Sequence, residues 1–269
     1  MRDAITSIQN PRVRAAVRLR DRRDRTEAGL TLVDGLRELR RALDAGTELV
    51  ELYACEALCT APRCREILER VRAAGVPITT VSEDVLSRLS FGDRVEGVLG
   101  VARLPQRQLS DLHLPEGPLV AVLEGVEKPG NIGAVMRSAD GAGLSAVIAA
   151  DGGTDLFNPN VIRASIGIVF SMPVAAATTS QTVAWLNQNG LQIVAASLDA
   201  TIDYAEIDYT GPTAIVLGAE SVGLSDAWTG PEVSRVRLPM LGVADSLSVS
   251  AAAAVLFYEA RRQRGRPAE

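Results

Sequence analysis

The sequence predicts an α/β protein with a mostly parallel sheet, preceded by a smaller α/β unit. Two observations carry that prediction. Apolar runs of strand length alternate with helical patterns from about residue 30 to the last thirty residues, as expected when helices link parallel strands and cover both faces of their sheet. In the C-terminal half, residues 123–143, 217–225 and 238–250 each join an apolar run, a glycine-bearing turn and polar side chains close to a helix start. Such junctions deliver side chains to the carboxyl edge of a sheet, where α/β proteins hold their ligands. Three of them in one half predict an assembled site.

The elements follow in order. Residues 7–25 read as a cap and a basic helix, 31–34 as a short strand, and 36–45 as a helix with apolar positions at 36, 39 and 43. A strand at 49–54, a helix at 63–74, a strand at 76–81, a helix capped by Ser82 and a last strand at 98–101 complete the first unit. Residues 103–118 hold three prolines and no period, so they read as a connection. Beyond it, strands are predicted at 119–123, 146–150, 192–196, 214–217 and 235–238, with helices at 132–142, 159–168, 182–188 and 247–264. The predicted division is 1–105, a linker at 106–117, and 118–269.

Composition narrows the function. At 269 residues and 47% hydrophobic the chain can bury a substantial core. No uncharged apolar run approaches the ~18 residues of a membrane span, and the opening MRDAITSIQNPRVR is not an apolar export signal. A cytoplasmic enzyme with no membrane contact is the expectation. Cys55, Cys59 and Cys64 have no neighbouring histidine, and the one histidine, His113, lies in the connection. Free thiols beside the first sheet are expected, with no metal site and no disulfide scaffold. Net charge is −5, yet residues 1–41 carry eleven arginines against six acids. A local positive field matters more to a phosphate backbone than the chain total. The same run can equally be a solvated helix face.

Within the three junctions, Asn131 can cap a helix whose N–H groups meet a polar ligand, and Arg137 can clamp a phosphate with paired hydrogen bonds. Gly218 permits close backbone approach, Glu220 can orient a polar ligand, and Ser246 can cap the last helix. Each has a plain alternative taken alone: a capping asparagine, a surface arginine, an exposed turn. The chain lacks GxGxxG and GxxxxGK[ST], which argues against a dinucleotide site or a P-loop. A serine–histidine–aspartate hydrolase would have to recruit His113 from the connection.

Together the segments closely resemble the SpoU, or TrmH-like, branch of the SPOUT RNA methyltransferases. The resemblance runs through Glu124-Gly125, PGNIGAVMRSADGAG, LFNPNVIRASIGIVFSMPV, LGAESVGLS and LPMLGVADSLSVS, and reaches an L30e-like N-terminal segment with Ser7, Asn10-Pro11, Arg14 and VDGLRELRRAL. It implies a C-terminal α/β trefoil knot, S-adenosylmethionine as methyl donor, a homodimer, and methyl transfer to a ribose 2′-hydroxyl of RNA. By motif, Asn131, Arg137, Glu220, Ser246 and Ser248 fall at catalytic positions. Ala196, Ser197, Leu198, Leu217, Gly218, Leu238, Met240 and Leu247 fall around the donor. Arg14, Arg18 and Arg22 would hold RNA phosphates, with Arg163 as a further site or dimer contact. Ribosomal RNA, 23S in particular, is the expected substrate, with a resistance role to ribosome-targeting antibiotics as a family option. Transfer RNA and a non-catalytic RNA-binding role are the alternatives. The family usually reads SLNVS where this chain has Ser246-Leu247-Ser248-Val249-Ser250, and glutamate where it has Asp34.

Overall fold

A computed structural model describes residues 4–91, 95–151 and 153–265. From the N-terminal side they form α1 (Pro11–Arg18), α2 (Arg22–Ala28), β1 (Leu30–Asp34), α3 (Leu36–Asp44), β2 (Leu49–Ala54), α4 (Pro62–Ala73), β3 (Ile78–Thr80), α5 (Glu83–Leu89) and β4 (Val98–Arg103). After the connection come β5 (Leu119–Leu123), α6 (Pro129–Ala142), β6 (Ala146–Ala150), α7 (Pro159–Ala164), α8 (Ile168–Ser171), β7 (Val174–Ala177) and α9 (Thr179–Gln188). The rest are β8 (Gln192–Ala196), β9 (Ile202–Asp203), β10 (Thr213–Leu217), β11 (Val233–Arg237) and α10 (Val249–Gln263). Two compact units result: Met1–Gln106 with Phe157–Ser171, and Arg107–Leu156 with Met172–Glu269. The predicted division at 105–118 differs in one respect, since 157–171 clusters with the first unit.

In the first unit the strand order is β1-β4-β2-β3, antiparallel except for the β2–β3 pair. The predicted basic helix over 7–25 is two helices. Asn10 caps the first, with Pro11 in its first turn, and Asp21 caps the second by accepting the Arg23 N–H. Several of the arginines in and between them bond to the protein's own groups. Arg12 bonds Glu51 and the Thr79 hydroxyl, Arg20 donates to the carbonyls of Arg88 and Ser90, and buried Arg25 donates to those of Leu19 and Arg20. Arg18 pairs with Asp24 at 2.5 Å, while Arg14 and Arg22 are exposed.

The predicted helix at 159–168 breaks into α7 and α8. Ile166 has φ +51° and Gly167 φ +79°, and a β-branched residue in the left-handed region is strained. Glycine is required beside it, because a Cβ at 167 would lie 2.9 Å from the Cα of Glu38. The segment is held by the Thr31 hydroxyl donating to the Phe157 carbonyl (2.9 Å), Arg163 donating to Asp34 (2.5 Å), and Arg41 donating to the Ile166 carbonyl. The expectation of free thiols fails for two of the three cysteines. Cys59 and Cys64 form a disulfide, because the turn before α4 brings their Cα atoms to 5.5 Å, within bonding range. Cys55 stays free and buried.

The second unit has a seven-stranded, wholly parallel sheet in the order β7-β6-β5-β10-β8-β11-β9. Strands β5, β6 and β10 are buried at every position, which is why they read as continuous apolar runs. Sheet order departs from chain order where β10 enters between β5 and β8 and β11 pairs with β8. Leu217 thereby pairs with Leu123, and Val236 with Ala196. The carboxyl ends of β5, β10, β8 and β11, each carrying a functional loop, finish side by side. Helix α10 lies along α6 so closely that a Cβ at Gly141 would sit 2.9 Å from the Tyr258 hydroxyl.

Candidate cofactor cleft and catalytic cluster

Past the ends of β8, β10 and β11 opens a cleft of about 610 Å³, within the range of small-molecule sites. All eight residues expected around the donor line it: Ala196, Ser197, Leu198, Leu217, Gly218, Leu238, Met240 and Leu247. Glu220 and Ser246 line it too. The wall mixes aliphatic side chains with charged ones, Glu220 and Asp226 among them, and at one corner Arg235 bonds Ser197 (2.7 Å) and pairs with Asp199. Bonds from the Ser197 hydroxyl and then from Arg235 hold the Asp199 carboxyl at a pKa of about 2. Gly218 has a role other than close approach by a ligand. A Cβ there would lie 2.5 Å from the carbonyl of Gly223, so the hairpin-like loop 219–223, closed by the Gly223 N–H on the Ala219 carbonyl, folds over a bare glycine.

The catalytic candidates divide into a connected cluster and one separate residue. Asn131 does not cap α6. That position is Lys128, which offers no side-chain cap, and Asn131 in the first turn donates to Glu220 at 2.7 Å instead. Glu220 also pairs with the Lys128 ammonium. These contacts, that of Lys128 foremost, hold the Glu220 carboxyl below the usual carboxylate range. On the other side the Ser250 hydroxyl reaches the Asn131 carbonyl oxygen at 3.5 Å and lies 3.2 Å from the Ser248 hydroxyl. Nor does Ser246 cap α10. Ser248 does, accepting the Ala251 N–H at 3.3 Å. Serine and asparagine are both good caps, so the departure from SLNVS keeps this local function.

Arg137 stands apart. It follows Asn131 by six residues of α6, about 9 Å along the axis and about 120° around it, is exposed, and has no hydrogen-bond partner among the described residues. Its guanidinium is available to an incoming group. Arg163, by contrast, is directed to buried Asp34.

Sequence reading missed two further residues here. Lys128 is the chain's only lysine, and it touches Glu220. Its signal was present, since a cation at a helix N-terminus opposes both capping preference and the helix dipole. Glu124, at the end of β5, is 7% exposed and accepts from the Thr179 hydroxyl (2.7 Å), the Ser225 N–H (2.8 Å) and the Ser225 hydroxyl (2.9 Å). Burial acts to raise its pKa, but these donors together hold the carboxyl below its ordinary value. It ties the loop after β10 to the loop after β5, so the cleft and the cluster share one brace.

The geometry defines a class: a parallel α/β domain with a cofactor-sized cleft at its carboxyl edge, bordered by an Asn–Glu–Lys cluster with an available arginine nearby. The model of the SpoU rRNA Methylase family matches residues 118–258, and that of the MRM3-like substrate binding domain matches 10–100. The chain belongs to the SpoU rRNA methylase family. It is 33% identical to the 23S rRNA (uridine(2479)-2′-O)-methyltransferase of Streptomyces viridochromogenes, over 91% of this chain and 87% of that one. A crystal structure of an RNA 2′-O ribose methyltransferase matches at 42% identity and TM-score 0.84, covering 97% of this chain and 99% of the other. The AdoMet-bound rRNA methyltransferase of Sinorhizobium meliloti matches at 32% identity and TM-score 0.87, covering 97% of each.

Proposed function

We propose that this protein transfers a methyl group from S-adenosylmethionine to a ribose 2′-hydroxyl of 23S ribosomal RNA. The observation that carries the reading is the meeting, at one sheet edge, of the eight-residue cleft with the Asn131–Glu220 pair. The family membership and the relatives' activities support the same chemistry. The cleft residues fit the donor. Aliphatic Leu198, Leu217, Leu238 and Leu247 suit a flat heteroaromatic ring, and the strand-end backbone supplies hydrogen-bonding groups. When bound, the donor supplies an electrophilic methyl on a sulfonium.

The chain's own contribution is alignment and charge. The 2′-oxygen must approach in line with the methyl–sulfur bond, and a misplacement of about 1 Å costs about 100-fold. Glu220, held by Lys128, fixes Asn131 at the cleft's rim, where both can orient the ribose. Arg137 serves as phosphate clamp and stabiliser of the developing alkoxide.

The reading includes a homodimer through the C-terminal domain. Leu241 and Val243 are almost fully exposed beside the cleft, and Tyr258 on α10 is half exposed. Exposed large apolar side chains of this kind suit burial against a second copy.

The test incubates the protein with radiolabelled S-adenosylmethionine and separate ribosomal and transfer RNA pools, then maps the labelled nucleotide. Label at one 2′-O position of 23S RNA is expected. Label in transfer RNA alone overturns the substrate, and failure to bind the donor overturns the enzyme. Arg137→Ala is expected to lose at least about 100-fold in transfer while keeping most donor affinity; wild-type turnover by that variant removes its assigned role.

A further inference from the structure

The first unit carries a second cleft, of about 440 Å³, that the methyl-transfer reading does not use. Its wall is formed by Arg37, Arg40 and Arg41 of α3, Arg63 of α4, Asp44 and Ile166. Four guanidinium groups thus face one carboxylate, and Asp44 is already paired with Arg70 at 2.8 Å and lies 3.7 Å from Arg40. Arg37 and Arg63 are exposed and have no hydrogen-bond or ion-pair partner among the described residues. Bringing cations of one sign together is costly unless an anion joins them.

Two local features point to an anion here. Helix α4 starts at Ala61 with no side-chain cap and no acidic residue in its first turn, yet it places Arg63 there. A cation in that position opposes the helix dipole, whereas an anion would satisfy both the arginine and the dipole. Helix α3 differs, since its Leu36 N–H already donates to the Glu96 carboxylate at 2.9 Å and Glu38 lies in its first turn. Finally, the strained Ile166 lines the cleft and holds Arg41 through its carbonyl oxygen. Strain of this kind persists where the surroundings impose it and is concentrated at binding sites. The α1–α2 arginines differ: Arg12, Arg18, Arg20 and Arg25 are bonded to the protein's own groups.

We propose that the Arg37–Arg40–Arg41–Arg63 cleft is a phosphate-binding site that grips the RNA backbone, giving the first unit its main hold on the substrate. The inference rests on the RNA-methylation reading. Planar guanidinium forks match phosphate oxygens bidentately. A site of this make-up registers backbone geometry without reading bases.

The experiment compares the full-length chain with Arg37→Gln/Arg63→Gln, with the charge-keeping Arg37→Lys/Arg63→Lys, and with Arg65→Gln, a charge loss on α4 outside the cleft. Binding to a 23S RNA fragment is followed across salt concentrations, without turnover; thermal melting confirms folding, and binding of sodium tripolyphosphate is measured in parallel. The glutamine pair is expected to bind RNA at least about fivefold more weakly at 0.15 M salt, with a salt slope shallower by about 0.7–0.9 for each phosphate no longer neutralised. The lysine pair should recover part of that affinity, and Arg65→Gln should match wild type. Unchanged RNA affinity and slope in a folded glutamine pair overturn the proposal. If tripolyphosphate binding alone is abolished, the cleft serves a free phosphorylated compound and the RNA assignment is overturned. A wild-type chain that binds no RNA rejects the methylation reading itself, a different outcome from either.

Discussion

Glu220 joins Lys128 and Asn131, and the two contacts have different consequences. The Lys128 pair is exposed, its lysine 74% so, and an exposed pair contributes little to stability. Glu220→Gln should therefore leave the melting temperature almost unchanged while lowering kcat by about 100-fold through loss of alignment. Single-turnover methyl transfer checks this, and an unaltered rate would separate Glu220 from the chemistry. Glu124 shows the opposite balance. Its carboxyl is buried and bonded, and its pKa is depressed below the ordinary 4.5. The stabilisation it provides is present above that ordinary value and is lost as pH falls through the depressed one. Glu124→Gln leaves one carbonyl oxygen where three donors converge on two and removes the charge that strengthens those bonds, at a cost of about 2 kcal/mol near neutrality. Melting curves of the two proteins should converge as the pH falls through the depressed carboxyl range; a constant gap would mean that the charge is not what the brace uses.

Strands legible in the sequence were those buried on both faces, because a run such as Val120–Val122 or Ile215–Val216 leaves no polar position to confuse the period. Strand β7 is short, with small residues, and β9 has two residues; neither offers an apolar signal, and both exist because a neighbouring strand supplies an edge. The break between α1 and α2 at Leu19–Asp21 was hidden by the uniform arginine content around it. For the site, the residues around the donor followed from the family resemblance, and β8, β10 and β11 bring them to one sheet edge. The partners of Asn131 were not, because Glu220 and Ser250 approach it through tertiary packing. Loop 219–223 gives a test at this scale. Gly218→Ala would push a Cβ to 2.5 Å from the Gly223 carbonyl, forcing the loop away from the cleft. Donor affinity should fall at least about tenfold by calorimetry, a loss of about 1.4 kcal/mol, and unchanged affinity would mean that the loop does not shape the cleft.

Across the whole molecule the chain visits the first unit twice, because 157–171 returns to β1 and α3. Deleting residues 1–105 would strip α7 and α8 of the partners that cover Val161, Ile162 and Phe170. The truncated chain should expose apolar surface, read as increased binding of a hydrophobic dye and a tendency to aggregate; a well-behaved fragment would show that the segment has other cover. Composition acts at this scale as well. Of 28 basic residues, all but Lys128 are arginines, so the chain has a single side-chain amine, and it touches Glu220. An acylating or fluorescent amine reagent will therefore mark one side chain, beside the Asn131–Glu220 pair. The rate of that labelling, with and without RNA, turns the lysine into an intrinsic occupancy gauge that needs no engineered tag.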